Sequence, residues 1–352
     1  MLTDIASNLL GKRIGKWEVV KKMSGAAAQG GGGFSSGYRV QNSDGTIAYL
    51  KAINIHYAFA STGKNIVDLL NEITGDYMHE RDLLAFCHGE RLDRIVAAID
   101  GDIHTEAGSM IPVPYLVFEL SEKGDLARHA SLATPGLAWR LRVFHGACVA
   151  LQQLHRHGIA HQDVKPGNLL IFGDDFSKLG DLGRSTTNRP GARFGLPEQC
   201  GDMNYAPFEL WYRYNHSDWA VRRTAADLFM LGGILAFLVA NVNFLSFTLS
   251  RMPKEMQPRT RFNPTGWGGT YEALLPTLRK YLAEAVAEVV APVRADLRYS
   301  IERMLMWLCE PDPMRRGHPE TVNQAGGDRY SLERIVSISD RMVTEARVPE
   351  RA

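Results

Sequence analysis

Between His161 and Gly183 the chain reads HQDVKPGNLLIFGDDFSKLGDLG, and three of its side chains carry the oxygens that chemistry at a metal-bound phosphate requires. Asp163 and Asn168 stand five positions apart across Pro166 and Gly167. Those two residues force a loop rather than a helix and let both side chains face one point. Asp181 follows thirteen positions after Asn168. Leu169, Leu170 and Ile171 read as a short strand, Gly173 to Asp175 as a turn, and Lys178-Leu179 as a returning strand. A hairpin of that kind predicts that Asp181 comes back beside Asn168. Carboxylate and amide oxygens are hard donors of the sort that Mg2+ takes.

Order, spacing and the intervening hairpin resemble the catalytic loop and metal-binding motif of the eukaryotic-type protein kinases, whose usual forms are HRDxKxxN and DFG. The resemblance implies that Asp163 accepts or orients the proton of a substrate hydroxyl. It implies equally that Asn168 and Asp181 hold Mg2+ against the phosphates of ATP. Lys165, two positions after Asp163, is similar to the serine/threonine form of this loop, in which the lysine steadies the transferred phosphate.

Such a loop needs a nucleotide in front of it, and the elements that would position one lie upstream. Trp17 to Val20 reads as a strand, followed by the glycine-rich run SGAAAQGGGGFSSG from Ser24 to Gly37 and a second strand at Tyr38 to Val40. Residues without side chains let backbone N–H groups approach phosphate oxygens. Placed on the family's GxGxxGxV, Phe34 takes the loop tip and Gly30 and Gly32 match the first two glycines. Ser35 then stands for the third glycine, and Gly37 replaces the valine.

Asn42 to Gly45 reads as a turn, and TIAYLKAIN alternates as a strand with Ile47, Tyr49, Lys51 and Ile53 on one face. Lys51 resembles the strand lysine that holds the α- and β-phosphates. Tyr49 departs from the family, which commonly has an alanine there, over the adenine. The lysine requires a carboxylate partner from a helix. Glu80 and Glu72 compete for that role, and Glu80 is preferred because leucines follow it at the family's spacing in HERDLLAF; His56 to Lys64 then reads as an insertion.

Ile95 to Ile99 and Tyr115 to Leu120 read as further strands. YLVFEL resembles the strand that runs into the family's hinge, so Phe118 would guard the back of the adenine pocket and the backbone of Glu119 to Ser121 would hydrogen-bond the base. Asp125 has two readings, a ribose contact or the N-terminal charge of the next helix.

Leu137, Leu141, Phe144, Cys148 and Leu151 recur at helical spacing and lead into the catalytic loop. His161 reads as a brace for that loop. Gln162 replaces the arginine that, in many kinases, binds a phosphate added to the activation segment. Activity independent of phosphorylation at Ser185, Thr186 or Thr187 is therefore expected. Downstream, NYAPFEL at Asn204 to Leu210 resembles the end of that segment, which implies an ion pair between Glu209 and Arg316, preferred over the neighbouring Arg315.

The 352 residues are 45% hydrophobic and 22% charged with a formal net charge of +1, an ordinary globular balance that suggests no nucleic-acid footprint. Four cysteines, Cys87, Cys148, Cys200 and Cys309, form no C-x-x-C pair, which argues against a zinc site and a disulfide framework and fits a reducing cytoplasm. Met1 to Leu10 lacks the pattern of a secretory signal. The charge-free run from Leu228 to Ser250 is long enough to span a membrane, but it contains Asn241, Asn243, Ser246 and Thr248. It also begins in AADLFMLGGIL, which resembles the buried central helix of the kinase large lobe.

The expected fold is α+β and bilobal, protein-kinase-like, with a small β-rich N-lobe (1–119, the first 16 residues a lead-in), a larger and mainly helical C-lobe (120–317) and a C-terminal helical extension (318–352). The expected activity is serine/threonine protein kinase, with ATP, Mg2+ and a protein substrate as partners and with neither nucleic acid nor membrane. Two alternatives stand beside it. A small-molecule phosphotransferase of the aminoglycoside type shares HxDxxxxN but lacks the lysine at 165. A kinase-like scaffold without catalysis would be supported by the irregular glycine run, Tyr49 and Gln162.

Overall fold

The computed structural model describes residues 4–23, 35–63, 65–106, 111–129, 135–195 and 201–348. The chain divides into two units, Met1–Asp125 with Gly180–Gly183, and Leu126–Leu179 with Arg184–Ala352.

The first unit is built on strands β1 (Arg13–Ile14), β2 (Trp17–Lys22), β3 (Ser35–Gln41), β4 (Ile47–Ile53), β5 (Ala98–His104) and β6 (Val113–Glu119). Among the described residues they form one antiparallel sheet in the order β1-β2-β3-β4-β6-β5. Alternation along β4 buries Ala48, Leu50 and Ala52 in a core shared with Ile14, Trp17, Tyr38, Val40 and Val117. The opposite face of β4 therefore carries Tyr49 and Lys51. The preceding turn is held by Asn42, whose side-chain oxygen accepts the N–H groups of Asp44 and Thr46, and Gly45 supplies the left-handed residue at φ 81°. Residues at the N-terminus belong to the same core. Ile5, Ala6 and Leu9 are buried in it, the Tyr38 hydroxyl donates to Ala6 O at 2.7 Å, and Asn54 Nδ2 donates to Asp4 Oδ2 at 3.0 Å.

Two helices follow β4. The stretch expected to be an insertion forms α1 (Ile55–Thr62), capped by the Asn54 side chain at its start and by left-handed Gly63 at its end. Helix α2 (Ile66–Gly89) buries Leu69, Ile73, Tyr77, Glu80, Leu84 and Cys87, a stripe at helical spacing. The strand expected at Ile95–Ile99 is displaced, since pairing starts at Ala98. Ile95 and Val96 owe their apolar character to burial in the connection after α2. β5 is an edge strand whose side chains include Asp100 and Asp102, so it carries little hydrophobic signal.

The second unit is mainly helical. Helix α3 (Leu137–Arg156) leads into β7 (Ile159–Ala160), and the hairpin of β8 (Leu169–Phe172) and β9 (Phe176–Leu179) follows. The short strand β10 (Thr186–Thr187) pairs antiparallel with β7. Beyond them come α4 (Phe208–Trp211), α5 (Trp219–Arg222), α6 (Thr224–Ala240), α7 (Phe244–Leu249), α8 (Tyr271–Val290), α9 (Ala295–Leu308), α10 (Pro319–Val322) and α11 (Glu333–Arg347).

The long apolar run is not one helix. Asn241 ends α6 in the left-handed conformation, and the Asn243 side chain caps α7 by accepting the N–H of Ser246. The stretch Trp219–Ala240 has the length and apolarity to cross a membrane, yet 83% of its 18-residue apolar window is buried within the protein. The helical extension packs on α3, where His145 Nδ1 and Ser339 Oγ lie 2.9 Å apart with Ser339 buried.

Candidate active site

In the first unit a largely covered cation sits between two carboxylates. Lys51 Nζ lies 3.0 and 3.1 Å from the two carboxylate oxygens of Glu80 and 3.1 Å from Asp181 Oδ1. Each residue arrives for a local reason. Strand alternation turns Lys51 away from the apolar core, and helical spacing sets Glu80 in the buried stripe of α2, whereas Glu72 on the same helix is exposed. A glutamate in an apolar stripe is stable only with a partner. Burial pushes the Glu80 carboxyl above its ordinary pKa, against the pull of Lys51. Burial opposes the Lys51 charge as well, but Asp181 and Glu80 outweigh it and hold the ammonium above its usual range. Asp181 occupies φ 61°, a left-handed conformation that costs a non-glycine residue about 1–2 kcal/mol and is retained where the surroundings demand it.

On the same face, Tyr49 stands opposite Phe118 in the β4–β6 register, with ring centroids 6.4 Å apart. The Tyr49 ring also crosses over Gly37 of β3. A Cβ on Gly37 would fall 2.8 Å from Tyr49 Cε2 and 2.9 Å from Cζ. The two departures from the family pattern, Gly37 for valine and Tyr49 for alanine, thus compensate in volume. Phe118 is buried. The Glu119 N–H donates to Ala97 O at 3.1 Å and its carboxylate accepts the Ala97 N–H at 2.8 Å, so the expected base-contacting stretch begins with an amide already committed to the protein. Ser121 Oγ closes a turn by donating to Gly124 O, and Asp125 is buried at the unit's edge. Ser35 opens β3. Gly30, Gly32 and Phe34 lie outside the described residues.

In the second unit, β7 delivers the chain to His161, Gln162 and Asp163, all buried. Asp227, on α6, fixes this turn. Its two oxygens accept the backbone N–H groups of His161 and Gln162 at 2.7 Å each, and His155 Nε2 lies 2.9 Å away. His161 Nδ1 in turn accepts the N–H of Asp163 at 3.2 Å. Gln162 adopts φ 64°, and that reversal aims its neighbour.

Asn168 donates both amide protons to Asp163, to the backbone oxygen at 2.8 Å and to Oδ2 at 2.9 Å. With the nitrogen so used, the amide oxygen is the atom Asn168 has to offer a cation. Lys165 Nζ lies 3.0 Å from Asp163 Oδ2. The β8–β9 register pairs Leu169 with Leu179, one residue after Asn168 and two before Asp181. Asp181 is a member of the first unit and Asn168 of the second.

The Gln162 side chain occupies the position an arginine has in the family, and it spans the backbone of the following segment. Its Nε2 donates to Arg184 O at 3.0 Å and Phe194 O at 3.3 Å. Ser185 and Thr186 are fully buried, and Thr186 Oγ1 donates to Arg193 O at 2.7 Å. Further on, Arg316 and Glu209 form the expected two-pronged pair at 2.7 and 2.8 Å, both buried. Arg316 also donates to the carbonyls of Ala225 and Glu310 at 2.9 Å each.

Two residues of this site were not singled out from the sequence. Asp227 precedes a charge-free run, and an acid there is buried and must have partners, which is the signal that was available. Asp202, whose backbone N–H donates to Asp163 Oδ1 at 2.7 Å, carried no local signal.

Comparison with known proteins agrees with this geometry. A family model described as the protein kinase domain matches residues 28–325. CBL-interacting protein kinase 4 of Oryza sativa subsp. japonica is 38% identical over 133 residues, covering 36% of this chain and 28% of the relative. Aurora/IPL1-related protein kinase 2 of Caenorhabditis elegans is 31% identical over 135 residues, covering 37% and 40%. Inactive serine/threonine-protein kinase PLK5 of Mus musculus is 28% identical over 178 residues, covering 49% and 27%. The match thus spans less than half the length of each of these relatives. A β-rich unit and a mainly helical unit correspond to the small and large lobes of the kinase fold, and the chain belongs to the eukaryotic-type protein kinase family.

Proposed function

We propose that this protein transfers the γ-phosphate of ATP to serine or threonine hydroxyls of protein substrates, and does so without phosphorylation of its activation segment. The observation that carries the reading is the set Lys51, Glu80 and Asp181, in which the lysine is oriented and held charged by two carboxylates, Glu80 buried and Asp181 partly exposed. A fold drifting away from catalysis has no need to keep a lysine and two carboxylates together where water reaches them only in part.

In this reading Lys51 holds the α- and β-phosphates, and Asp163 orients the acceptor hydroxyl and takes up its proton. Lys165 steadies the phosphoryl group, which favours serine and threonine. The Asp181 carboxylate and the Asn168 amide oxygen suit Mg2+, which when bound supplies positive charge against the phosphate oxygens. Phe118 and the backbone near Ser121 would receive the base.

Independence from phosphorylation is supported by Gln162. It joins Arg184 and Phe194 through neutral hydrogen bonds, a link that an arginine with a bound phosphate would otherwise supply, and Ser185 and Thr186 are buried.

The experiment is transfer of labelled phosphate from Mg-ATP to the protein itself and to a generic basic protein, beside Asp163→Ala and Asp181→Ala. Label on serine or threonine, lost in both variants, is the expected result. Retained nucleotide binding without transfer would favour the scaffold reading. Phosphatase treatment before the assay should leave the rate unchanged, and a collapse would refute phosphorylation independence.

A further inference from the structure

The oxygens of Asp163 are crowded with donors. Oδ1 accepts the Asp202 N–H at 2.7 Å and faces Lys165 Nζ at 3.3 Å, while Oδ2 faces Lys165 at 3.0 Å and accepts from Asn168 at 2.9 Å. A carboxylate has about four lone-pair sites. An acceptor hydroxyl must therefore replace one of these donors. Lys165 and Asn168 are tethered within the same loop, but Asp202 comes from chain 39 residues away. Its N–H is the donor that can leave.

The segment carrying Asp202 is shaped for this approach. A Cβ on Gly201 would lie 2.5 Å from both Cβ and Cγ of Asp163, so only glycine lets the backbone come so close. The Gly201 N–H donates to Gln162 O at 3.2 Å. Asp202 Oδ1 accepts the backbone and side-chain N–H groups of Asn204 at 3.0 and 2.9 Å, which fixes the carboxylate in a local turn. Its other oxygen, Oδ2, lies 3.7 Å from Lys165 Nζ, and the side chain is 31% exposed. One ammonium thus serves two carboxylates.

We propose that Asp202 is a specificity-determining residue of the acceptor site, selecting a hydroxyl that has a cationic side chain one or two residues away. The proposal rests on the reading of Asp163 as the group that orients the acceptor. When the acceptor displaces the Asp202 N–H, the Asp202 carboxylate stays held by Asn204 through Oδ1, and a lysine shared with Asp163 is the cation beside its Oδ2. A lysine or arginine on the acceptor neutralises it and frees Lys165 for the phosphoryl group, and an acidic neighbour is repelled. Two carboxylates that flank one ammonium at 3.0 and 3.7 Å are separated by no more than about 7 Å, the span of two extended residues.

The test is phosphate transfer to matched serine peptides carrying arginine, glutamine or glutamate beside the serine, with wild type, Asp202→Asn and Asp202→Lys. Wild type should favour arginine over glutamine in kcat/KM by about fivefold, the worth of one partly exposed ion pair, and glutamine over glutamate similarly. Asp202→Asn, which keeps an oxygen for Asn204, should flatten the series, and Asp202→Lys should invert it. Should either variant be inactive, titration of labelled peptides gives the order of preference as affinities. A flat series in wild type, or an unchanged preference in Asp202→Asn, overturns the proposal. Absence of transfer to any peptide or to the protein itself overturns the kinase reading and this one together, and is recognisable as such.

Discussion

Tyr49 and Gly37, on neighbouring strands, share one volume, because the tyrosine ring lies within 3 Å of where a side chain on Gly37 would begin. Gly37→Val should therefore overpack this face and cost about 1–3 kcal/mol. Tyr49→Ala in the same molecule should return most of that loss. The check is a double-mutant cycle by urea denaturation, and additive effects would contradict the shared volume.

Lys51→Met removes the cation between Glu80 and Asp181. A carboxyl whose pKa is raised in the folded chain, as burial raises that of Glu80, binds its proton more tightly there than when unfolded. Its contribution favours folding below the ordinary value of 4.5 and fades as pH rises through the folded value. With Lys51 gone, nothing offsets that loss. The variant should approach wild-type stability in mild acid and fall behind it near neutrality, as seen in urea midpoints at pH 5 and pH 8.

Asp227→Ala would leave the N–H groups of His161 and Gln162 buried without their acceptor. Two buried donors at about 1–3 kcal/mol each predict a loss of about 2–6 kcal/mol. Amide hydrogen exchange at His161 and Gln162 should accelerate beyond what the global loss explains. Unchanged protection there would argue against the brace.

Arg316→Met strands the Glu209 carboxylate, and one-sided removal of a buried pair costs about 3–5 kcal/mol. The double variant Glu209→Leu/Arg316→Met should recover only part of this. The carbonyls of Ala225 and Glu310, which Arg316 also satisfies, would remain without that donor. Thermal unfolding of the three variants measures the split.

What the sequence determined by itself was local chemistry. The loop from Asp163 to Asn168, the hairpin up to Leu179 and the lysine-bearing strand were legible because each is written in a short run with a definite period or turn, while the Glu209–Arg316 pair followed from the resemblance of NYAPFEL to the family's activation segment. The choice of Glu80 over Glu72 came from the resemblance of HERDLLAF to the family's helix, and the fold buries Glu80 in one stripe with Tyr77 and Leu84.

Tertiary structure decided what depends on distant segments meeting. The strand at Ala98–His104 could not be read from hydrophobicity, because an edge strand takes its identity from its neighbour's hydrogen bonds. That the stretch read as an insertion folds as a helix is set by the cap at Asn54 and the apolar face it covers. The fit of Tyr49 over Gly37 depends on strand register, and a residue of the glycine run only becomes a partner once β3 and β4 pair. Asp227 and Asp202 reach the catalytic loop from 65 and 39 residues away, so no local pattern encodes either contact. A buried backbone N–H must find an acceptor wherever the fold supplies one, and which acceptor that is only the folded chain determines.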